Sequence, residues 1–254
     1  MHNGPVSLSS TSARDPIAVV IPAQDEASRL GRCLESLSPF LRAGDPVIVV
    51  DACSADATAE VAARAGAAVL RSPTRARGLA LARGFESVAP RVEVVFLVHA
   101  DMEVPAAARA RIREVLAAVP AAVGGALGHR ILDDRWRFRW VEVGNRFRAD
   151  RWQLPYGDQA QFVRTDAVAR AGGFPDQSEM EDLELSLRLR TLGPWVYLDC
   201  PVTIPPRHWR NGVVRTTLRN WIRALSYRAK AGRPSARRSG GSGVPAGGQN
   251  RGGT

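Results

Sequence analysis

The residues best placed to do chemistry are His99 and Asp101, two positions apart where the apolar run Val94-Val95-Phe96-Leu97-Val98 gives way to His99-Ala100-Asp101. An imidazole and a carboxylate at this spacing lie on one side of an extended chain and could face a divalent cation and a diphosphate. A strand running into a helix cap would look the same, so the pair alone decides nothing. Carboxylates end two further apolar runs: Asp25 and Glu26 follow Ile17-Ala18-Val19-Val20-Ile21-Pro22, and Asp51 closes Val47-Ile48-Val49-Val50. Arg71, Arg75 and Arg77 stand in the loop after the short apolar pair Val69-Leu70. Carboxylates can hold a base, a ribose or a metal, and arginines can clamp a diphosphate.

These residues need elements to bring them together. Runs that are apolar on both parities predict strands buried on both faces, as in a parallel sheet covered by helices. Between them, Leu30, Cys33, Leu34 and Leu37 keep helical spacing, and the segment 52–58 caps a helix running to about Ala65. Another helix follows Gly78. This alternation predicts an α/β fold with a mostly parallel central sheet, flanked by helices and joined by right-handed crossovers. Ligands in such sheets gather beyond the carboxyl ends of the strands, and every residue named above falls there. No G-x-G-x-x-G follows the first strand and no G-x-x-x-x-G-K-[ST] occurs, which argues against a dinucleotide oxidoreductase and a P-loop enzyme.

With 254 residues, 45% of them hydrophobic, the chain can build one sizeable core. Residues 1–14 are polar and read as a flexible leader rather than a signal peptide, and no apolar segment reaches the roughly 18 residues that span a bilayer. Cys33, Cys53 and Cys200 lack metal or disulfide spacing, so a reducing cytoplasm is the expected setting. The net charge of +10 is local: 24 arginines face 25 acidic residues up to Cys200, whereas Pro201 to Thr254 holds 11 basic residues and no acidic one. A neutral body with a cationic end does not suit nucleic acid bound across the fold. In that end, Val214, Leu218, Trp221, Ile222 and Leu225 mark one helical face, with Arg215, Arg219 and Arg223 on another. This amphipathic helix, 211–230, either covers the catalytic body or lies on an anionic membrane at the inner face of the cell, through Val213 to Lys230. The tail 231–254 is Gly, Ser, Pro and Arg and is expected to be disordered.

Five ordered motifs carry a resemblance. Val19-Val20-Ile21-Pro22-Ala23-Gln24-Asp25-Glu26, Val49-Val50-Asp51 with Ala52 to Thr58, His99-Ala100-Asp101, Tyr156-Gly157-Asp158-Gln159-Ala160-Gln161 with Gly172-Gly173-Phe174-Pro175, and Glu181-Asp182-Leu183-Glu184-Leu185 together resemble the family 2 glycosyltransferases of GT-A fold. They are similar above all to a small bacterial branch that includes arsenosugar-biosynthesis and carotenoid-acid glycosyltransferases. The resemblance implies a nucleotide-sugar donor and inverting transfer to an acceptor hydroxyl or carboxylate, on a lipid or carotenoid-type molecule. It divides the domain 15–230 into a nucleotide-binding half, 15–105, an acceptor half, 106–210, and the amphipathic helix. Pro22, Asp25, Glu26 and Asp51 match donor positions, and Asp101 matches the metal-holding end of a D-x-D motif for Mn²⁺ or Mg²⁺, with His99 or His208 as a further ligand. Asp182 matches the general base. Glu181, Asp158 and Gln159 fall on the acceptor or sugar side, and Arg207 with Trp209 matches an R-W pair that closes over the diphosphate. Two departures stand out: His99 replaces the first Asp of D-x-D, and Ala52 replaces an Asp often found beside Asp51.

Two stretches remain. Aromatic and arginine residues alternate over Arg135 to Trp140, which predicts a strand with one apolar face packed in the core, or a flap touching the acceptor. Glu179 to Leu192 predicts a helix opened by acidic residues. Two rival functions are a nucleotidyltransferase, which would want a glycine-rich, lysine-bearing loop where Ala23-Gln24-Asp25-Glu26 stands, and a non-catalytic membrane- or nucleic-acid-binding module.

Overall fold

The apolar run Ile17–Ala23 is buried at every position and forms strand β1. Alternate side chains leave a strand on opposite faces. Accordingly Ile17, Val19 and Ile21 enter one core with Leu30, Cys33, Leu37 and Phe40, while Ala18 and Val20 enter a second core with Leu81, Phe85 and Val88. Such two-sided burial is what the sequence pattern predicted. A computed structural model describes residues 16–209 and 212–231. The leader 1–14, the tail beyond Ala231 and the side chains of His208, Val214 and Leu225 lie outside the described residues.

Four strand–helix pairs follow in order: β1 with α1 (Ala27–Leu37), β2 (Val47–Asp51) with α2 (Thr58–Arg64), β3 (Ala68–Arg71) with α3 (Arg77–Val88), and β4 (Val94–Leu97) with α4 (Ala108–Ala118). The remainder runs β5 (Gly124–Ala126), β6 (His129–Ile131), α5 (Trp136–Trp152), β7 (Gln161–Arg164), α6 (Thr165–Arg170), α7 (Glu181–Leu189), β8 (Trp195–Tyr197), β9 (Val202–Ile204) and α8 (Val213–Ala231). Among the described residues the main sheet has the order β3-β2-β1-β4-β7-β5-β8, and β6 pairs with β9 in a small second sheet. All pairs are parallel except those of β7, which runs against both β4 and β5. The mostly parallel sheet flanked by helices matches the expectation. The chain divides into one compact unit through Thr216 and a second from Thr217, whose described part is the remainder of α8.

The reversal of β7 positions the site. Gln161, its first residue, pairs with Leu97, the last residue of β4. The 3-10 turn Gly157–Gln159 just before it is thereby delivered to the carboxyl edge, where the parallel strands also end. On the other side of the sheet α3 lies very close: a Cβ at Gly84 would meet Val20 Cγ1 at 2.4 Å and Val50 Cγ2 at 2.8 Å.

The stretch from Arg135 to Trp140 is not a strand. It opens the helix α5, which buries Phe138, Val141, Asn145, Arg148 and Ala149. That set follows a period of 3.6 over about three turns, and this longer register overrides six residues of alternation. Phe138 does reach the core, but Trp136 and Trp140 are 66% and 68% exposed, so core packing fails for them.

Asp45 ties the rim of this architecture together. Its side chain is 1% exposed and accepts from the Ile17 amide at 2.9 Å, from the Arg42 amide at 2.7 Å and from the Arg109 guanidinium on α4. Asp45→Ala would strand both amides and a nearly buried guanidinium. It should lower stability by on the order of 3 kcal/mol, read as a fall in the urea midpoint at unchanged slope.

Candidate active site

Asp25, Glu26, Asp51 and Asp101 are each placed at or just after the end of a strand. At the end of β1, Asp25 adopts a left-handed φ of 53°. Its amide donates to Ser54 Oγ at 3.0 Å and its carboxylate accepts from the Ala55 amide at 2.7 Å, which knits this loop to the one after β2. Glu26 is buried, and its amide donates to Thr58 Oγ1 at 2.9 Å. Asp51 closes β2, buried, with the Ser54 amide on Oδ1 at 3.1 Å. Asp101 follows β4, its side chain 4% exposed. The Arg207 guanidinium joins two of these carboxylates, donating from Nε to Asp101 at 2.8 Å and from Nη2 to Glu26. A cleft of about 290 Å³ opens here, lined by Pro22, Ala23, Gln24, Glu26, Ala52, Arg75, Arg77, His99, Ala100, Asp101 and Arg207. Arg75 stands 3.8 Å from Asp25, whereas Arg71 is exposed at the end of β3 and does not line the cleft.

Residues from the second half of the chain stand beside Arg77 and His99 of this cleft. Asp182, at the start of α7, accepts from the Gly157 amide on Oδ2 at 2.7 Å and from the Leu183 amide on Oδ1 at 2.7 Å. A methyl group at Gly157 would lie 2.8 Å from His99 Nε2 and 3.3 Å from Asp182 Oδ2, so imidazole and carboxylate flank one point. Arg77 donates to Glu181 at 2.7 Å and lies 3.9 Å from Asp182. Burial, and then the charge of Asp182, push Glu181 above the usual carboxylate range, against the pull of Arg77. Glu181 is 0% exposed and Asp182 9%, so of the two adjacent carboxylates only Asp182 keeps contact with the surface.

Other expected residues sit elsewhere. Gln159 is 1% exposed and points inward: its Oε1 accepts from the Tyr156 amide at 3.1 Å and from Arg148 at 3.4 Å, and its Nε2 donates to the Asn145 carbonyl at 3.4 Å. It shapes the turn rather than meeting a sugar. Asp158 lies 3.7 Å from the buried His129. Trp209 packs edge-on against Phe138 at 5.8 Å and lines a neighbouring cavity of about 370 Å³, with Arg29, Arg135, Arg137 and Arg207. Sequence reasoning missed Gly157, whose amide holds the Asp182 carboxylate, and Arg148, buried against the Tyr156 ring at 3.3 Å. The only signal for Gly157 was its place before Asp158-Gln159; an arginine in an aromatic-arginine run carries none.

Burial and the Arg77 charge push the His99 imidazole down to about 4, so it stays neutral near pH 7, the form that binds metal. Among the described residues, no group of three or more His, Cys, Asp or Glu is gathered at one point. Asp101 and His99 both line the cleft, and the Asp101 carboxylate there is engaged by Arg207 at 2.8 Å.

The sequence profile of glycosyl transferase family 2 matches residues 18–171. The chain belongs to this family. Among solved structures, the fold is similar to the mannosyltransferase PcManGT from Pyrobaculum calidifontis in complex with GDP-Man and Mn²⁺, at TM-score 0.64 and 17% identity, over 87% of this chain and 66% of that one. It is similar also to S. aureus TarS 1-349 in complex with UDP, at TM-score 0.61 and 16% identity over 80% and 64%. A third likeness is to glucosyl-3-phosphoglycerate synthase from Mycobacterium tuberculosis with Mn²⁺, UDP and glucosyl-3-phosphoglycerate, at TM-score 0.55 and 17% identity over 85% and 81%. The chain spans 65% or less of the length of the TarS structures it matches. No curated protein matches it in sequence.

The depressed His99 imidazole predicts a pH effect in metal-free protein. An unfolded His titrates near about 6.5, so between that pH and about 4 the unfolded chain binds more protons than the folded one. Stability should be full above this window and fall as pH drops through it. His99→Gln should flatten that part of the stability–pH curve measured by urea denaturation.

Proposed function

We propose that this glycosyltransferase moves a sugar from a nucleotide-diphosphate donor to an acceptor hydroxyl or carboxylate with inversion, and that Asp182 is the general base. The observation carrying this reading is the Asp182 carboxylate, fixed by the Gly157 amide at 2.7 Å, on the same edge as Arg75, Arg77, Asp101 and Arg207. With a hydroxyl acceptor, the acceptor oxygen bonds to the anomeric carbon while its proton passes to Asp182; a carboxylate acceptor bonds through its charged oxygen with no proton to remove. The bond from that carbon to the phosphate oxygen breaks, and the leaving diphosphate takes the electron pair. Arg75, Arg77 and Arg207 supply positive charge for it. Asp25, Glu26 and Asp51 are the donor's base and ribose contacts. Asp101 with His99 would hold a divalent cation, which supplies further charge to the diphosphate when bound. Structures of the same fold with GDP-Man and Mn²⁺, and with UDP, support this assignment.

An amphiphilic acceptor, of the kind the arsenosugar and carotenoid-acid branch suggests, fits a basic α8. Arg215, Arg219 and Arg223 are exposed on it, as are Leu218 and Ile222. We place the enzyme in the cytoplasm, on the inner face of the membrane.

Asp182→Asn keeps the shape but removes the proton acceptor. Transfer should fall by roughly 10²-fold or more with donor binding intact. Near-normal transfer by Asp182→Asn alongside loss in Glu181→Gln would move the base by one residue. For the donor side, thermal-shift titration with nucleotide sugars and Mn²⁺ is the measurement: Asp101→Ala should abolish the Mn²⁺-dependent part of the stabilisation. Unchanged Mn²⁺ dependence would remove Asp101 from the cation site.

A further inference from the structure

The outer face of α5 plays no part in the chemistry above. Trp136, Trp140, Val143 and Phe147 fall at i, i+4, i+7 and i+11, so they form one stripe along the helix. They are 66%, 68%, 59% and 54% exposed, and Leu132 just before the helix is 66% exposed. Single exposed apolar side chains are ordinary, but a contiguous stripe with two tryptophans marks a surface that another phase or molecule covers. Exposed arginines border it on both sides: Arg137 and Arg151 on one, Arg146 on the other. Arg146 meets Asp199 at 3.4 Å, while among the described residues no carboxylate pairs with Arg137 or Arg151.

We propose that this face of α5 docks on an anionic lipid bilayer, with the indole and phenyl rings among the headgroups and upper acyl chains and the arginines on lipid phosphates. Tryptophan beside arginine on one helical face is the composition of an interfacial helix. Charge separates this occupant from a second copy of the chain. Two such faces in contact would bring the unpaired Arg137 and Arg151 of each copy together, while of the exposed acids nearby, Asp134, Asp150 and Asp199, Asp199 is already engaged by Arg146. An anionic bilayer neutralises the same fringe. The inner face of the same helix holds the turn that carries Gly157, since Arg148 and the Asn145 carbonyl bond to Gln159. At its N-terminal end Arg135 and Arg137 line the cavity that shares Arg207 with the cleft. Docking would therefore set the site against the membrane and select membrane-borne acceptors. That consequence rests on the glycosyl-transfer reading, although the docking itself does not.

The experiment is vesicle sedimentation of the full chain with phosphatidylcholine alone and with added phosphatidylglycerol, paired with tryptophan quenching by brominated lipid. Wild-type protein should bind the anionic vesicles, bind less as salt rises, and show quenching. The variant W136Q/W140Q/F147Q changes only exposed positions, so its melting temperature should hold while binding weakens at least tenfold and quenching is lost. R215Q/R219Q/R223Q on α8 should retain the quenching. The proposal is overturned if wild-type protein ignores anionic vesicles at low salt, or if the α5 variant binds as wild type does. It is overturned equally if light scattering shows a salt-resistant dimer that the α5 variant abolishes. Near-normal transfer by Asp182→Asn in protein that still docks would count against the catalytic reading alone.

Discussion

Two neighbouring carboxylates, Glu181 and Asp182, open α7 at 0% and 9% exposure, and the site depends on how their charge is balanced. Taking a carboxylate out of water is costly, and putting a second beside it more so, unless an opposite charge comes with it. Arg77 provides that charge through contacts at 2.7 Å and 3.9 Å. It comes from the first half of the chain, at the start of α3, and the carboxylates come from the second. The ion triad thus does two jobs: it lets a carboxylate sit at the wall of a largely apolar fold, and it ties the first half of the chain to the second. Packing around it leaves little slack, since a Cβ at Gly78 would lie 2.0 Å from the Gln177 carbonyl oxygen and 3.1 Å from Glu181 Cβ.

The first half was legible in the sequence because its strands β1, β2 and β4 are largely buried on both faces and apolar at both parities. Val47–Asp51 and Val94–Leu97 could hardly be anything else, and the residue that ends each such strand had to lie on the carboxyl edge. The second half was less legible for a physical reason. Its strands β5, β6, β8 and β9 are three residues long, too short for any period to show, and β7 is set among them by a reversal that only tertiary pairing decides. Glu181 and Asp182 were found as a motif, but the Gly157 amide that orients Asp182 could not be read, because a backbone donor leaves no mark on the residue type. The α5 stretch misled because alternation over a few residues outweighed the longer helical register.

That α5 stretch shows why composition alone is a poor guide to a half-buried helix. Arg148 lies on its buried side and Trp136 and Trp140 on its exposed side, the reverse of what polarity suggests. The buried guanidinium is tolerated because it donates to the Leu154 carbonyl, to Asn145 and to Gln159, and stacks on the Tyr156 ring. Burial still pushes its proton affinity below the ordinary arginine value. Such an inversion costs stability on both faces of one helix. The inner face recovers that cost by holding the turn beside Asp182.

The charges of the cleft are also arranged to exchange partners. Arg207 spans Asp101 and Glu26, and Arg75 stands near Asp25, so each cation that a diphosphate would want is already turned toward a carboxylate. An incoming diphosphate competes with those carboxylates for the same guanidinium protons, and the gain on binding is the difference between two ion-pair sets rather than the full strength of one. Phosphate can still win, because it carries more charge than a carboxylate and accepts the arginine fork in the same planar geometry. Before the donor arrives, the carboxylates keep three arginines from repelling one another around a cleft of about 290 Å³. The arrangement thereby favours a multiply charged anion over a neutral ligand, and this preference follows from the charge pattern before any other contact is considered.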